Sequence, residues 1–170
     1  PYNAYYLGIV AAAYLDMRAA PMAVHYYQRI LRNYPDLLIS GASLHFRCLR
    51  ELLTLVQDPR ERIGYYKELI SRFADSIDPG VNYYYLAKAY EEIGDWEQAI
   101  RVYQKFLNYP DSEIPGFSRS HAKIREKVEF YYSDKEWTVQ NLDFLVSEVR
   151  EALQTHDVRQ LARYRAKVNF

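Results

Sequence analysis

The chain has 170 residues, 49% of them hydrophobic and 26% charged, which is ordinary globular material and enough for one domain with a sizeable core. Its 22 Lys and Arg balance 22 Asp and Glu, so no net field draws in a polyanion, and nucleic acid is excluded as the expected partner. The single cysteine, Cys48, excludes an internal disulfide, and no apolar run approaches the ~20 residues of a bilayer span.

The first segment, "YYLGIVAAAYL", reads as a helix and leads into "AVHYYQRILRNYPD". There Tyr27, Ile30, Leu31 and Tyr34 recur three and four apart, the stripe of a helix rather than a strand. Pro21 marks a helix start, and Pro35 cannot continue the helix, so Asn33-Tyr34-Pro35-Asp36 is a stop followed by a turn residue. The Tyr before the proline is expected to pack its ring under the following helix pair. "SLHFRCLRELLTLV" and "IGYYKELISRFAD" repeat the scheme, with Asp58, Pro59 and Glu61 as the start signal of the second helix. Cys48 sits among Phe46, Leu49 and Leu52 and is expected in the core.

"NYYYLAKAYEEI" and "AIRVYQKFLNYPD" give a third pair, with Asp95 and Gln98 as a capping box and a second NYPD at Asn108–Asp111. The second segments of the three pairs align through Tyr27, Tyr66 and Tyr103, so the organisation is helix, turn, helix in tandem, about 2–36, 40–75 and 80–111. "SEIPGFSRSHAKIREKVEFYY" then supplies a turn and a charged amphipathic helix. Ser133 with Glu136 is expected to open "WTVQNLDFLVSEVREALQ", whose Leu142, Leu145, Val146, Val149 and Leu153 form an apolar stripe. Asp157 and Gln160 start a last short helix. Residues 112–170 read as a cover for the end of the stack, or as the beginning of a further domain.

These residues resemble the tetratricopeptide repeat (TPR) family. In the third pair Leu86, Ala87, Tyr90, Gly94, Trp96, Ala99, Tyr103 and Pro110 match its pattern. The first pair matches through Ala11, Tyr14, Ala23, Tyr27 and Pro35 but has Arg18 in place of the turn glycine. The middle pair departs, placing Arg50 and Arg62 where the family wants small residues. The resemblance implies an all-α, right-handed helical solenoid and a protein or peptide partner. The YPD ending looks most like TPR proteins of bacterial envelopes, including lipoproteins, which implies a periplasmic or membrane-anchored setting. With Pro1 first and no Met or signal sequence, the chain reads as a processed product or an excised segment.

His25, His45, His121 and His156 have no ligand spacing to one another or to Cys48, and no phosphate loop or nucleophile elbow occurs, so neither metal, cofactor nor catalysis is expected. The 18 tyrosines are the anomaly. The inner surface implied by the resemblance carries Tyr5, Ala12 and Asp16 from the first unit, Arg47 and Glu51 from the second, and Tyr84, Lys88 and Glu91 from the third. Tyr5 and Tyr84 would bury partner side chains while Arg47 and Lys88 fix polarity. Gly8, Ala12 and Tyr84 stand where carboxylate-clamping relatives carry a Lys/Asn/Arg set, so recognition of chaperone tails is not expected. Two alternatives to the Tyr-rich groove remain: a homo-oligomeric scaffold paired through Leu145, Val149 and Leu153, and an accessory domain of a larger enzyme.

Overall fold

The computed structural model describes residues 2–133 and 141–164. Among them lie nine α-helices: α1 (Tyr2–Asp16), α2 (Ala20–Asn33), α3 (Leu44–Leu55), α4 (Pro59–Arg72), α5 (Pro79–Glu92), α6 (Trp96–Phe106), α7 (Ser120–Tyr132), α8 (Leu142–Thr155) and α9 (Val158–Arg163). The fold is an all-α helical repeat. Two compact units divide at Arg125 and Glu126, so α7 begins in the first and ends in the second.

In the first unit α1 to α6 pack each on the next, which makes three helix pairs. Small residues permit the approach. Ala11 and Ala23 bring α1 and α2 together over Tyr27 and Ile30, and Ala87 and Ala99 do the same for α5 and α6 over Tyr103. Cys48 and Leu52 of α3 complete the first core with Tyr27 and Ile30. Each fully buried aliphatic side chain contributes about 1.5–3 kcal/mol relative to an exposed one. Burial also pushes the Cys48 thiol up to about 12, so it packs as an inert apolar group.

The start signals act as their chemistry dictates. Asp58 and Asp95 accept hydrogen bonds from the amides of Arg60 and Gln98 at the heads of α4 and α6. Asp78 caps α5 through the Val81 amide. Ala19 caps α2 without a side-chain bond, and Pro21 supplies the preset backbone instead. In the first turn Arg18 takes the left-handed conformation, φ 57°, that Gly94 takes in the third turn at φ 77°. The missing glycine is therefore replaced without a change of path, at a steric cost that glycine does not carry.

Each NYPD stops its helix, and then the two diverge. Tyr34 is extended ahead of Pro35, and Asp36 turns the chain by accepting from the Ser43 hydroxyl (2.6 Å) and the His45 amide (2.9 Å). Burial pushes the Asp36 carboxyl up, but these two bonds and the nearby His45 outweigh it and hold the carboxyl below its usual range. A two-strand hairpin, β1 (Leu38–Ile39) and β2 (Ala42–Ser43), fills the connection. Its loop, Ser40-Gly41, has both residues at positive φ, the geometry that suits a two-residue hairpin. After α6 the chain instead runs through a loop with Gly116 and Arg119 at positive φ. The Tyr109 ring lies 5.7 Å from Tyr83 of α5, so it packs backward on its own pair rather than under the next one.

In the second unit α8 and α9 pack together, joined at His156 in the left-handed conformation. Glu148 of α8 accepts from Gln160 and Tyr164. The opening expected at Ser133 and Glu136 is not the start of α8: Glu136 lies outside the described residues, and Asn141 is the N-cap, accepting from the amides of Asp143 and Phe144. Ser133 turns back to the Phe130 carbonyl.

Candidate functional site

The residues expected to line a groove lie on the first helix of each pair, in three local groups. On α1, Tyr5 is exposed and stands edge to face with Tyr6 at 5.7 Å, while Ala12 is half-buried. On α3, exposed Arg47 and half-buried Glu51 act electrostatically on the buried Tyr27 hydroxyl, whose pKa rises through burial first and Glu51 second, with Arg47 opposing.

The group on α5 is the most organised. Lys88 Nζ donates to Glu91 Oε2 at 3.0 Å, and the Glu91 side chain is nearly covered. That bond raises the Lys88 pKa against the opposing effect of burial. Glu91 also faces Tyr103, whose hydroxyl is pushed far up by burial and then by this carboxylate. Tyr84 is half-buried, with its ring 5.7 Å from Phe106, 5.8 Å from Phe117 and 6.1 Å from Tyr103. Lys88 is therefore committed to Glu91, and Tyr84 supports the packing of α5 on α6 and the following loop as well as facing outward.

The middle pair carries the feature that sequence alone did not assign. Where the first and third pairs have a small residue, Arg50 is exposed and reaches over the Phe46 ring, 5.9 Å from its centroid. Arg62 pairs with Glu92 of α5. A guanidinium cannot fill an alanine's slot without desolvation, so it turns outward. An opening of about 490 Å³ lies between α3 and α4 on one side and α5 on the other. Phe46, Leu53, Leu69 and Val81 give it apolar walls, Tyr66 and Tyr85 stack at 6.2 Å along it, and Arg50, Thr54 and Asp78 supply polar groups. The tell-tale in the sequence is the pair of arginines at small-residue positions.

Chemically the opening sets apolar walls beside aromatic and polar groups. Among the described residues no cluster of three or more His, Cys, Asp or Glu is placed to hold a metal ion. No described helix is long and apolar enough to cross a membrane.

Residues 82–112 match the family model of the tetratricopeptide repeat. This stretch carries a tetratricopeptide repeat and supports assignment to that family. The matched stretch contains most of α5, all of α6 and the second NYPD, so the repeat's own framework holds Tyr84, Lys88 and Glu91. Repeats of this family mediate protein–protein interaction and are typically non-enzymatic. No curated protein and no solved structure matches the chain.

Proposed function

We propose that this chain is a non-enzymatic binding module that receives a peptide or extended segment of a partner protein along the first helices of its pairs. The opening between the second and third repeats would hold one large side chain of that partner. The opening itself carries the reading: it combines apolar walls, stacked tyrosines and an unburied guanidinium, the composition in which binding energy concentrates. Tyr5, Arg47 and Glu51 would extend the surface over α1 and α3, with Arg47 exposed and Lys88 paired with Glu91.

The test is selection of binders from a displayed random-peptide library, followed by affinity measurement on variants. Thr54 is exposed at the rim, so Thr54→Trp blocks the opening without disturbing the core. The expected loss is about tenfold or more, which is about 1.4 kcal/mol. Binders indifferent to Thr54→Trp and to Arg47→Ala would contradict the reading.

A second reading, assembly through α8, has its own observation. Leu142, Val146 and Leu153 are exposed on that helix, and Val146 and Leu153 border a shallow apolar patch with Leu145 and Val149. It predicts a concentration-dependent mass by light scattering that Val149→Glu abolishes with helicity retained.

A further inference from the structure

The head of α7 lacks the acceptor that Asp or Asn supplies to α4, α5, α6, α8 and α9. There Asp58, Asp78, Asp95, Asn141 and Asp157 accept amides of the first turn. At α7 the Lys123 amide bonds to the Arg119 carbonyl at 3.1 Å, which makes Arg119 the N-cap. An arginine side chain accepts no hydrogen bond, and the first turn of α7 holds no acid. The amides of Ser120, His121 and Ala122 therefore have neither a side-chain cap nor an intrahelical partner. They present the positive end of a 13-residue helix.

A buried hydroxyl stands beside these amides. Among the described residues the buried polar side chains are His45, Ser112 and Ser120, the last 6% exposed. His45 is held by Tyr34 and Arg72, and Ser112 by Asp78. The Ser120 hydroxyl has no hydrogen-bond partner among the described residues, and an unmade bond is costly at a buried position. Its oxygen is nevertheless not sealed. What access it keeps is into the opening of about 420 Å³ that Ser120 lines.

The surroundings favour an anion. Ser118, Arg119 and His121 line the same opening, Ile114 and Phe117 give it an apolar side, and Lys123 lies 4.9 Å over the Phe117 ring. The Nε2 bond of His121 to the Tyr109 carbonyl and its stacking on Phe106 at 4.2 Å fix the first turn of α7 in place. From Ser112 to Arg125 the chain carries Arg119, Lys123 and Arg125 against Glu113. Glu113 also borders the opening but is exposed, so its carboxylate can turn into water.

We infer that the head of α7 is a binding site for a phosphate monoester, sharing no lining residue with the proposed peptide-binding opening and not resting on it. The amides of Ser120, His121 and Ala122 and the hydroxyls of Ser118 and Ser120 donate to the phosphoryl oxygens, while the Arg119 guanidinium balances the charge. The donors decide between anions. Three amides, two hydroxyls and a guanidinium exceed the about four acceptor positions of a carboxylate, whereas the oxygens of a phosphoryl group accommodate them. The ester side of the ligand lies toward Ile114 and Phe117.

The experiment titrates inorganic phosphate into the isotope-labelled full chain and follows the amide signals of Ser120, His121 and Ala122, with sodium chloride at matched ionic strength as the control. The expected result is a saturable shift of these signals in the millimolar range. Ser120→Ala, which removes only one oxygen from a buried position, weakens binding about threefold or more, and Arg119→Gln about tenfold. Glu113→Gln tightens it. N-acetyl phosphoserine amide binding more tightly than inorganic phosphate makes the ligand a phosphorylated segment of a partner; the reverse order makes it free phosphate, and either supports the site. Shifts that chloride reproduces, acetate binding as well as phosphate, or binding indifferent to both Ser120→Ala and Arg119→Gln would overturn the inference.

Discussion

The second and third repeats hold the same slots with opposite residues. In the third, Ala87 and Ala99 are fully buried and α5 and α6 close over Tyr103. In the second, Arg50 and Arg62 occupy the corresponding positions, the first over Phe46 and the second against Glu92, and an opening lies beside them. One framework thus serves two ends: alanine gives a sealed pair, and arginine gives a pair with a polar, recessed edge. Where this repeat departs from its pattern, the proposed function places the surface used for binding.

The most direct way to break this contrast is to import the departure into the sealed pair. Ala99→Arg forces a guanidinium into a fully buried site and is expected to cost about 3–5 kcal/mol, read as a lower urea midpoint. If Ala99→Arg is tolerated, the sealed and open slots are not different in kind.

Alkaline pH tests the burial of the tyrosines more gently. Burial raises the pKa of Tyr27, Tyr66, Tyr84, Tyr103 and Cys48 in the folded chain. Their folded values exceed the unfolded ones, so the associated stability is complete only below the unfolded values, about 8.5 for a cysteine and about 10 for a tyrosine, and is lost as pH rises through the folded ones. The unfolding midpoint should fall steadily above about pH 10. Tyr103→Phe should make that fall shallower, and an unchanged slope would show that Tyr103 is not the sealed group described here.

Closeness also distinguishes the head of α5. A Cβ on Gly80 would lie 2.2 Å from Ser112 Oγ and 2.7 Å from Tyr109 Cβ, while Ser112 donates to the Asp78 cap at 2.6 Å. Gly80→Ala is therefore expected to cost about 1–3 kcal/mol, although the same change at an open helical site gains stability. Chemical denaturation of Gly80→Ala beside Gly64→Ala, where nothing lies within 4 Å, checks the sign.

The turns of the first and third pairs supply a smaller test. Arg18 bears the left-handed backbone that Gly94 adopts freely, so Arg18→Gly should stabilise by about 1 kcal/mol, measured by thermal unfolding. Smallest of all, Arg50→Ala should stay within about 0.5 kcal/mol, because the exposed guanidinium fills no core space. A large loss would mean that Arg50 supports the fold rather than the opening.

Local chemistry was legible in the sequence because it is local. Helix stripes, the caps at Asp58, Asp95 and Asp157, and the stops at Asn33–Asp36 and Asn108–Asp111 all depend on neighbours a few residues away. The hairpin at Leu38–Ser43 also had its signal, a Ser-Gly pair between apolar residues. What the sequence hid is contact across the chain. His45 Nε2 donates to the Tyr34 carbonyl at 3.0 Å while its Nδ1 accepts from Arg72, and His121 Nε2 meets the Tyr109 carbonyl at 2.9 Å. Thus each NYPD tyrosine carbonyl is bonded by a histidine of the next helix, a link no spacing rule contains. The packing of Phe117 on Tyr84 was hidden for the same reason, whereas the pairing of Lys88 with Glu91, three residues apart on one helix, was within reach of a local rule. A list of groove residues leaves out which of them are already spoken for.

The measurement that tests the central claim most directly is chemical-shift mapping of a selected peptide on the isotope-labelled chain. The account predicts the largest perturbations at Phe46, Arg50, Thr54, Val81 and Tyr85, around the opening between the second and third repeats. Perturbations confined to Leu142–Leu153 of α8, with those five residues unmoved, would contradict it.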